Sequence, residues 1–191
     1  MTMTTATPTT TTPPSSKPRL ATIWLDGCSG CHMSFLDQDE LLITLAARAD
    51  LVYSPIVDTK AFPENVDITL VEGAIGNAED LAKILQIRRN TRLLISLGDC
   101  AVTGNVSAMR NSFGVIPILE RVYHEPALLH PATPQTDLPA LRERVCPLHE
   151  VVHVDLFVPG CPPDAATIAY CLDALLEGRM PDLSQHTRFG K

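Results

Sequence analysis

Six cysteines carry most of the chemistry this chain can do. Cys28 and Cys31 form a C-x-x-C knuckle in LDGCSGCHMSF, Cys100 stands alone in LISLGDCAVTGN, and Cys161 stands alone in LFVPGCPPDA. Cys146 lies in VCPLHE, and Cys171 sits beside Ile168, Leu172 and Leu175 at helical spacing. Thiolates hold soft metals and iron–sulfur clusters, or exchange disulfides. The N-terminus lacks the apolar stretch of an export signal, so a cytoplasmic location is expected and metal or redox chemistry is preferred to a disulfide framework. Glycine accompanies the knuckle and the two single cysteines: Gly27 and Gly30, Gly98, and Gly160. Such residues permit tight turns and a close approach of backbone to a bulky group.

The elements that must position these cysteines follow from apolar patterning. Leu20–Leu25, 51–57, 66–71, 92–97 and 151–158 read as strands, near-continuous in apolar residues. A helix is expected over 34–49, capped by Ser34, another opening at Asn77, and a closing one over 164–177 that ends at Gly178. Strands alternating with helices predict an α/β fold, a flavodoxin-like doubly wound parallel sheet in a single domain. Residues 103–150 read as a long, proline-rich, partly irregular insertion in which only 115–123 looks helical. The expected organisation is a disordered Thr/Pro-rich tail over 1–19, an iron–sulfur domain over 20–178 and a C-terminal tail over 179–191.

On this map Cys28 and Cys31 follow the first strand, Cys100 the fourth and Cys161 the fifth. All fall at carboxyl ends, where open α/β sheets assemble their sites. Four cysteines distant in sequence are thus expected on one edge. Four thiolates can hold zinc or an iron–sulfur cluster. A structural zinc usually takes two tight knuckles in a small loop-rich module; here there is one knuckle and a chain that is 45% hydrophobic, with an ample core of its own. A cluster is the preferred reading, and a zinc-stabilised assembly subunit the non-enzyme alternative. A thioredoxin-like pair would leave Cys100 and Cys161 unexplained. A flavodoxin would carry a Ser/Thr-rich phosphate loop after the first strand, where this chain has its knuckle. The net charge of −7 gives no footprint for nucleic acid, and no apolar run is long enough for a membrane span.

The strings LDGCSGCHMSFLD, VEGAI at 71–75, GDCAVTGN at 98–105 and PGCPP at 159–163 together resemble the small subunit of nickel–iron hydrogenases. The resemblance implies a proximal 4Fe–4S cluster on Cys28, Cys31, Cys100 and Cys161. It implies a large subunit that carries the Ni–Fe centre and splits H2, while this chain relays electrons. The chain has no cysteine beyond Cys171, so one cluster is expected, and the form is similar to the small subunit of cytoplasmic NAD-reducing hydrogenases. Partners would then include a diaphorase module with FMN, NAD and iron–sulfur clusters. Acceptors such as a deazaflavin, viologen or sulfur are alternatives, as is a complex I-like iron–sulfur subunit. That subunit has adjacent cysteines in its first motif, whereas Ser29 and Gly30 separate Cys28 from Cys31 here.

Other polar residues have two readings each. Glu72, at the end of the third strand, is either a proton-handling or supporting carboxylate or a group that satisfies loop amides. His32 is expected to hydrogen-bond the cluster or a neighbouring loop. Asp26 and Asp99 are expected to form turns. Cys171 is expected in the core, and Cys146 as a free loop or interface thiol. Met33 and Phe35 are expected either at a partner interface or in local packing.

Overall fold

The computed structural model describes residues 17–125, 131–134 and 136–187. β1 (Arg19–Trp24), β2 (Asp50–Tyr53), β3 (Val66–Glu72), β5 (Thr91–Leu97) and β7 (Leu156–Val158) form one sheet in the order β2-β1-β3-β5-β7. Every pairing in it is parallel. Counted along the chain, the order of these five is the flavodoxin-like one, with its switch point between β1 and β3. Neighbouring residues of a strand serve opposite faces: Leu70 and Ile95 belong to one core cluster, Val71 and Leu94 to the other. Burial on both sides is why the inner strands β1, β3 and β5 read as near-continuous apolar runs.

The first face is covered by α1 (Gly30–Leu36), α2 (Leu41–Arg48) and α7 (Ala165–Leu176), through Phe35, Leu42, Leu45, Ile168, Leu172 and Leu175. The second is covered by α3 (Ala78–Asn90), through Ile84 and Ile87, and by α4 (Asp99–Thr103), through Ala101. α3 starts at Asn77 as expected. The Asn77 side chain accepts from the Asp80 amide at 2.9 Å, and Asp80 accepts in return from the Asn77 amide at 3.2 Å. α7 is capped by Asp164, which accepts from Thr167 N at 2.6 Å. It ends in a Schellman turn at Gly178, whose φ of 75° suits glycine.

Several elements differ from expectation. The helix expected over 34–49 is two helices. The chain breaks after Leu36, Asp39 adopts a left-handed φ of 50°, and Gln38 donates to Phe35 O at 3.0 Å. Ser34 caps nothing; it lies inside α1, and its hydroxyl donates to Pro163 O at 2.6 Å. The second strand stops at Tyr53, and the last is only Leu156–Val158, after a 3-10 turn at Leu148–Glu150. The insertion is more ordered than expected. After α5 (Asn105–Ala108), a 3-10 turn (Met109–Ser112) and α6 (Val115–Tyr123), it places β6 (Leu141–Cys146) antiparallel to β4 (Ile75–Asn77) as a second small sheet. Arg110 ties the pair together, donating to Gly76 O at 2.7 Å and to Arg142 O at 2.9 Å.

Of the tail expected at the N-terminus, residues 1–16 lie outside the described residues, and β1 begins at Arg19. Of the C-terminal tail, 188–191 lie outside them; the preceding segment is docked. Leu183 packs on the core, the His186 ring stacks on Tyr170 with centroids 4.0 Å apart, and Thr167 donates to His186 O at 3.2 Å.

Candidate metal centre

Strand register brings the cysteines together. Trp24 pairs with Glu72, Glu72 with Leu97 and Leu97 with Val158, so the last residues of four strands form one row. The loops leaving that row start at the same height. Each carries its cysteine within its first residues: Cys28 and Cys31 after β1, Cys100 after β5, Cys161 after β7. Cys28 and Cys161 are exposed, and Cys31 and Cys100 are half-buried.

The loops are stitched to one another by the groups flanking the thiols. Gly98 N donates to Val158 O at 2.8 Å, and Asp99 N donates to Gly160 O at 2.8 Å. The Asp99 carboxylate accepts from Gly160 N at 2.7 Å, locking the Cys100 loop to the Cys161 loop. Asp99 is thus more than a turn former. Asp26 bridges antiparallel to Ala74, and its carbonyl accepts from the Ser107 hydroxyl at 3.0 Å. The Ser34–Pro163 bond ties α1 to the far side of the Cys161 loop. Ser29, centre of the knuckle, holds a left-handed φ of 65°, so the two knuckle cysteines leave a tight local turn.

Glu72 is 2% exposed and satisfies both groups offered by His32. Its Oε2 accepts from His32 N at 2.7 Å and lies 2.6 Å from His32 Nδ1. Glu72 therefore anchors the first turn of α1, which carries Cys31. His32 Nε2 is buried with no partner among the described residues.

The thiols sense one another. Burial pushes Cys31 well above the ordinary thiol range, helped by the charges of Glu72, Cys100, Cys28 and Cys161. Cys100 is raised by burial, then by Cys161 and Cys28. All four thus lie within electrostatic reach. Space is reserved for sulfur: a Cβ on Gly98, whose φ is 81°, would collide with Cys31 Sγ, and one on Gly30 would sit 3.3 Å from Cys28 Sγ. Among the described residues, no group of three or more Cys, His, Asp or Glu is arranged to hold a single metal ion. An all-sulfur donor set on three loops, with glycine clearing room for a bulky group, suits an iron–sulfur cluster.

The other two cysteines stay apart. Cys171 is 1% exposed in the core, as expected. Cys146 is no loop or interface thiol: it is 4% exposed at the end of β6 and packs in the second core cluster. Its apparent loop context misled because its partner strand, β4, lies some seventy residues earlier. Phe35 packs in the core, whereas Met33 is 60% exposed. Val106, Met109, Phe113 and Ile116 are also exposed, on the segment that follows the Cys100 loop. No described helix is long and apolar enough to cross a membrane.

Residues 28–175 match the family described as NADH ubiquinone oxidoreductase, 20 kDa subunit. Over 172 residues the chain is 42% identical to the NAD-reducing hydrogenase HoxS subunit delta of Cupriavidus necator, covering 87% of this chain and 82% of that one. It is 36% identical to a subunit of the F420-non-reducing vhu hydrogenase of Methanocaldococcus jannaschii, with 86% of this chain matched but 58% of the longer relative. Among solved structures, a chain of an NAD+-reducing nickel–iron hydrogenase in its H2-reduced state superposes with a TM-score of 0.87 at 41% identity, covering 91% of this chain and 99% of the other.

Proposed function

The chain belongs to the NADH ubiquinone oxidoreductase 20 kDa subunit family and, within it, to the hydrogenase small subunits of the NAD-reducing type; on that premise we propose that it holds one 4Fe–4S cluster on Cys28, Cys31, Cys100 and Cys161 and passes electrons from H2 oxidation on a nickel–iron large subunit toward a diaphorase module that reduces NAD+. The observation that carries this reading is the row formed by Trp24, Glu72, Leu97 and Val158, from which the three cysteine loops leave together. The NAD acceptor is favoured over a deazaflavin, viologen or sulfur by the near full-length match to the NAD-reducing relatives, against 58% coverage of the methanogen relative. A cytoplasmic site of action accords with an acceptor drawn from the NAD pool.

When bound, the cluster supplies a one-electron carrier. The protein's own residues do the rest. Four thiolates hold it, and because burial favours the protonated forms of Cys31 and Cys100, loading displaces their protons and weakens as pH falls. The Asp99–Gly160 pair fixes the spacing of the Cys100 and Cys161 loops, and Glu72 fixes the turn that aims Cys31. We assign the exposed rim of Met33, Val106, Met109 and Phe113 to the large-subunit interface. Such a surface suits a partner that must come close to the cysteine edge and exclude water from it.

The test is iron and acid-labile sulfide analysis of the purified complex, with EPR of the reduced state. Roughly four iron and four sulfide per small-subunit cluster, beyond what the diaphorase holds, is the expected result. Replacing any of the four cysteines with Ser should remove that iron and abolish H2-dependent NAD+ reduction, while artificial-donor diaphorase activity persists. Zinc in place of iron and sulfide would end the reading.

A further inference from the structure

Asn105 is the polar residue of the cysteine edge that the four-thiol assignment leaves unused. Its side-chain Nδ2 lies 3.4 Å from Cys161 Sγ. Cys100 and Cys161 come from loops after different strands, and a primary amide has two N–H donors. Asn105 follows the Cys100 loop after β5, so one of these donors crosses to the thiol supplied after β7. The backbone around it is built to hold it there. Gly104 is left-handed at φ 85°, and Asn105 itself has a φ of 35°, which non-glycine residues seldom adopt. Thr103 Oγ1 accepts from Asn105 N at 3.4 Å and donates to Asp99 O at 2.8 Å, binding the turn to the Cys100 loop.

We propose that Asn105 is a tuning residue, whose amide donates to the sulfur of Cys161 and raises the reduction potential of the cluster that Cys161 helps to hold. The proposal rests on the cluster reading above. Reduction adds one electron, and part of the added charge falls on the sulfurs. An N–H donor binds the more negative sulfur more tightly, so it favours the reduced state. Losing one such bond should change the reduced-to-oxidised ratio at fixed potential by about tenfold. For a one-electron couple that is a downward shift of about 59 mV.

The experiment compares the intact hydrogenase complex with its Asn105→Ala and Asn105→Asp variants. Iron and sulfide are measured first; if wild type lacks them at this chain, the cluster reading and this proposal fall together. With iron retained, an EPR-monitored redox titration should place the Asn105→Ala midpoint about 59 mV below wild type. Asn105→Asp, which removes the donor and adds a charge, should lie lower still. An unchanged or raised midpoint in an iron-replete Asn105→Ala complex overturns the proposal and leaves the cluster reading intact. Where a variant loses iron, wild type decides. Asparagine labelled with 15N in its side-chain amide should give nitrogen coupling to the reduced cluster in pulsed EPR, and absence of that coupling overturns the proposal.

Discussion

The carboxyl edge of the sheet and the interior behind it use the same residue type for opposite purposes. At the edge, four cysteines stand on glycine-bearing loops, exposed or half-buried, close enough to perturb one another. In the interior, Cys146 and Cys171 are packed among Leu, Ile and Val, and burial alone pushes the Cys171 thiol up to about 12. A thiol becomes a ligand when backbone turns leave one side of it open and other thiols converge on it. Surrounded by hydrocarbon, it is a small hydrophobe. Environment, not residue type, divides the six.

Changes at the edge should sharpen that contrast most. Cys31→Ser is expected to empty the site of iron, whereas Cys171→Ala should keep full iron and lose about 1–2 kcal/mol of stability through its cavity. Metal analysis and a denaturant midpoint on both variants check this. Iron loss from Cys171→Ala with retention in Cys31→Ser would invert the assignment. Gly98→Ala follows in size and removes no thiol. The added Cβ meets Cys31 Sγ, at a φ of 81° that alanine resists. Iron content should fall to a minor fraction of wild type although all four cysteines remain. A fully loaded Gly98→Ala complex would show that the edge is softer than its turns imply.

Glu72→Ala comes next. It leaves His32 N and Nδ1 without their acceptor in a buried place, which costs about 1–3 kcal/mol. In a domain of this size that is a drop in Tm of about 2–4 °C per kcal/mol. Glu72→Gln, which keeps an acceptor oxygen, should recover part of it. Equal losses for both variants would mean that the carboxylate's charge matters more than its two hydrogen bonds.

Much of the edge could be read in the sequence because parallel strands buried on both faces leave a plain signal. The runs that lead into the cysteine loops are each stopped by glycine, and the cysteines follow the stops at Gly27, Gly98 and Gly160. What escaped depends on contacts between residues far apart in the chain. The Ser34 hydroxyl answers a carbonyl at Pro163, so the local pattern offered it only as a helix cap. β6 is recognisable only beside β4, and LRERVC alternates too weakly to declare itself a strand. The break between α1 and α2 falls at DQDE, which is compatible with a continuing helix; only the left-handed Asp39 shows the turn. Asn105 sat inside a motif recognised for its cysteine, and its own role emerges only when Cys161 is brought across from β7.

The smallest expected effect probes the interior side of the contrast, through pH. The folded chain holds the Cys171 proton to about 12, whereas the ordinary thiol value is 9.0. The raised pKa makes its contribution to stability complete below pH 9 and progressively lost as pH climbs from 9 toward 12. In that window the unfolded chain has released a proton that the folded chain keeps. Cys171→Ala has no proton there to lose. Other alkaline effects are common to both proteins and cancel in the difference. The stability advantage of wild type over Cys171→Ala should therefore be flat from pH 7 to 8.5. Above pH 9 it should narrow by about 1 kcal/mol per pH unit, the worth of one proton bound in one state and not in the other. Denaturant midpoints of both proteins at half-unit steps of pH measure it. A gap that stays constant to pH 10.5 would mean that Cys171 ionises as readily in the core as in water, against the enclosure in hydrocarbon that its packing implies.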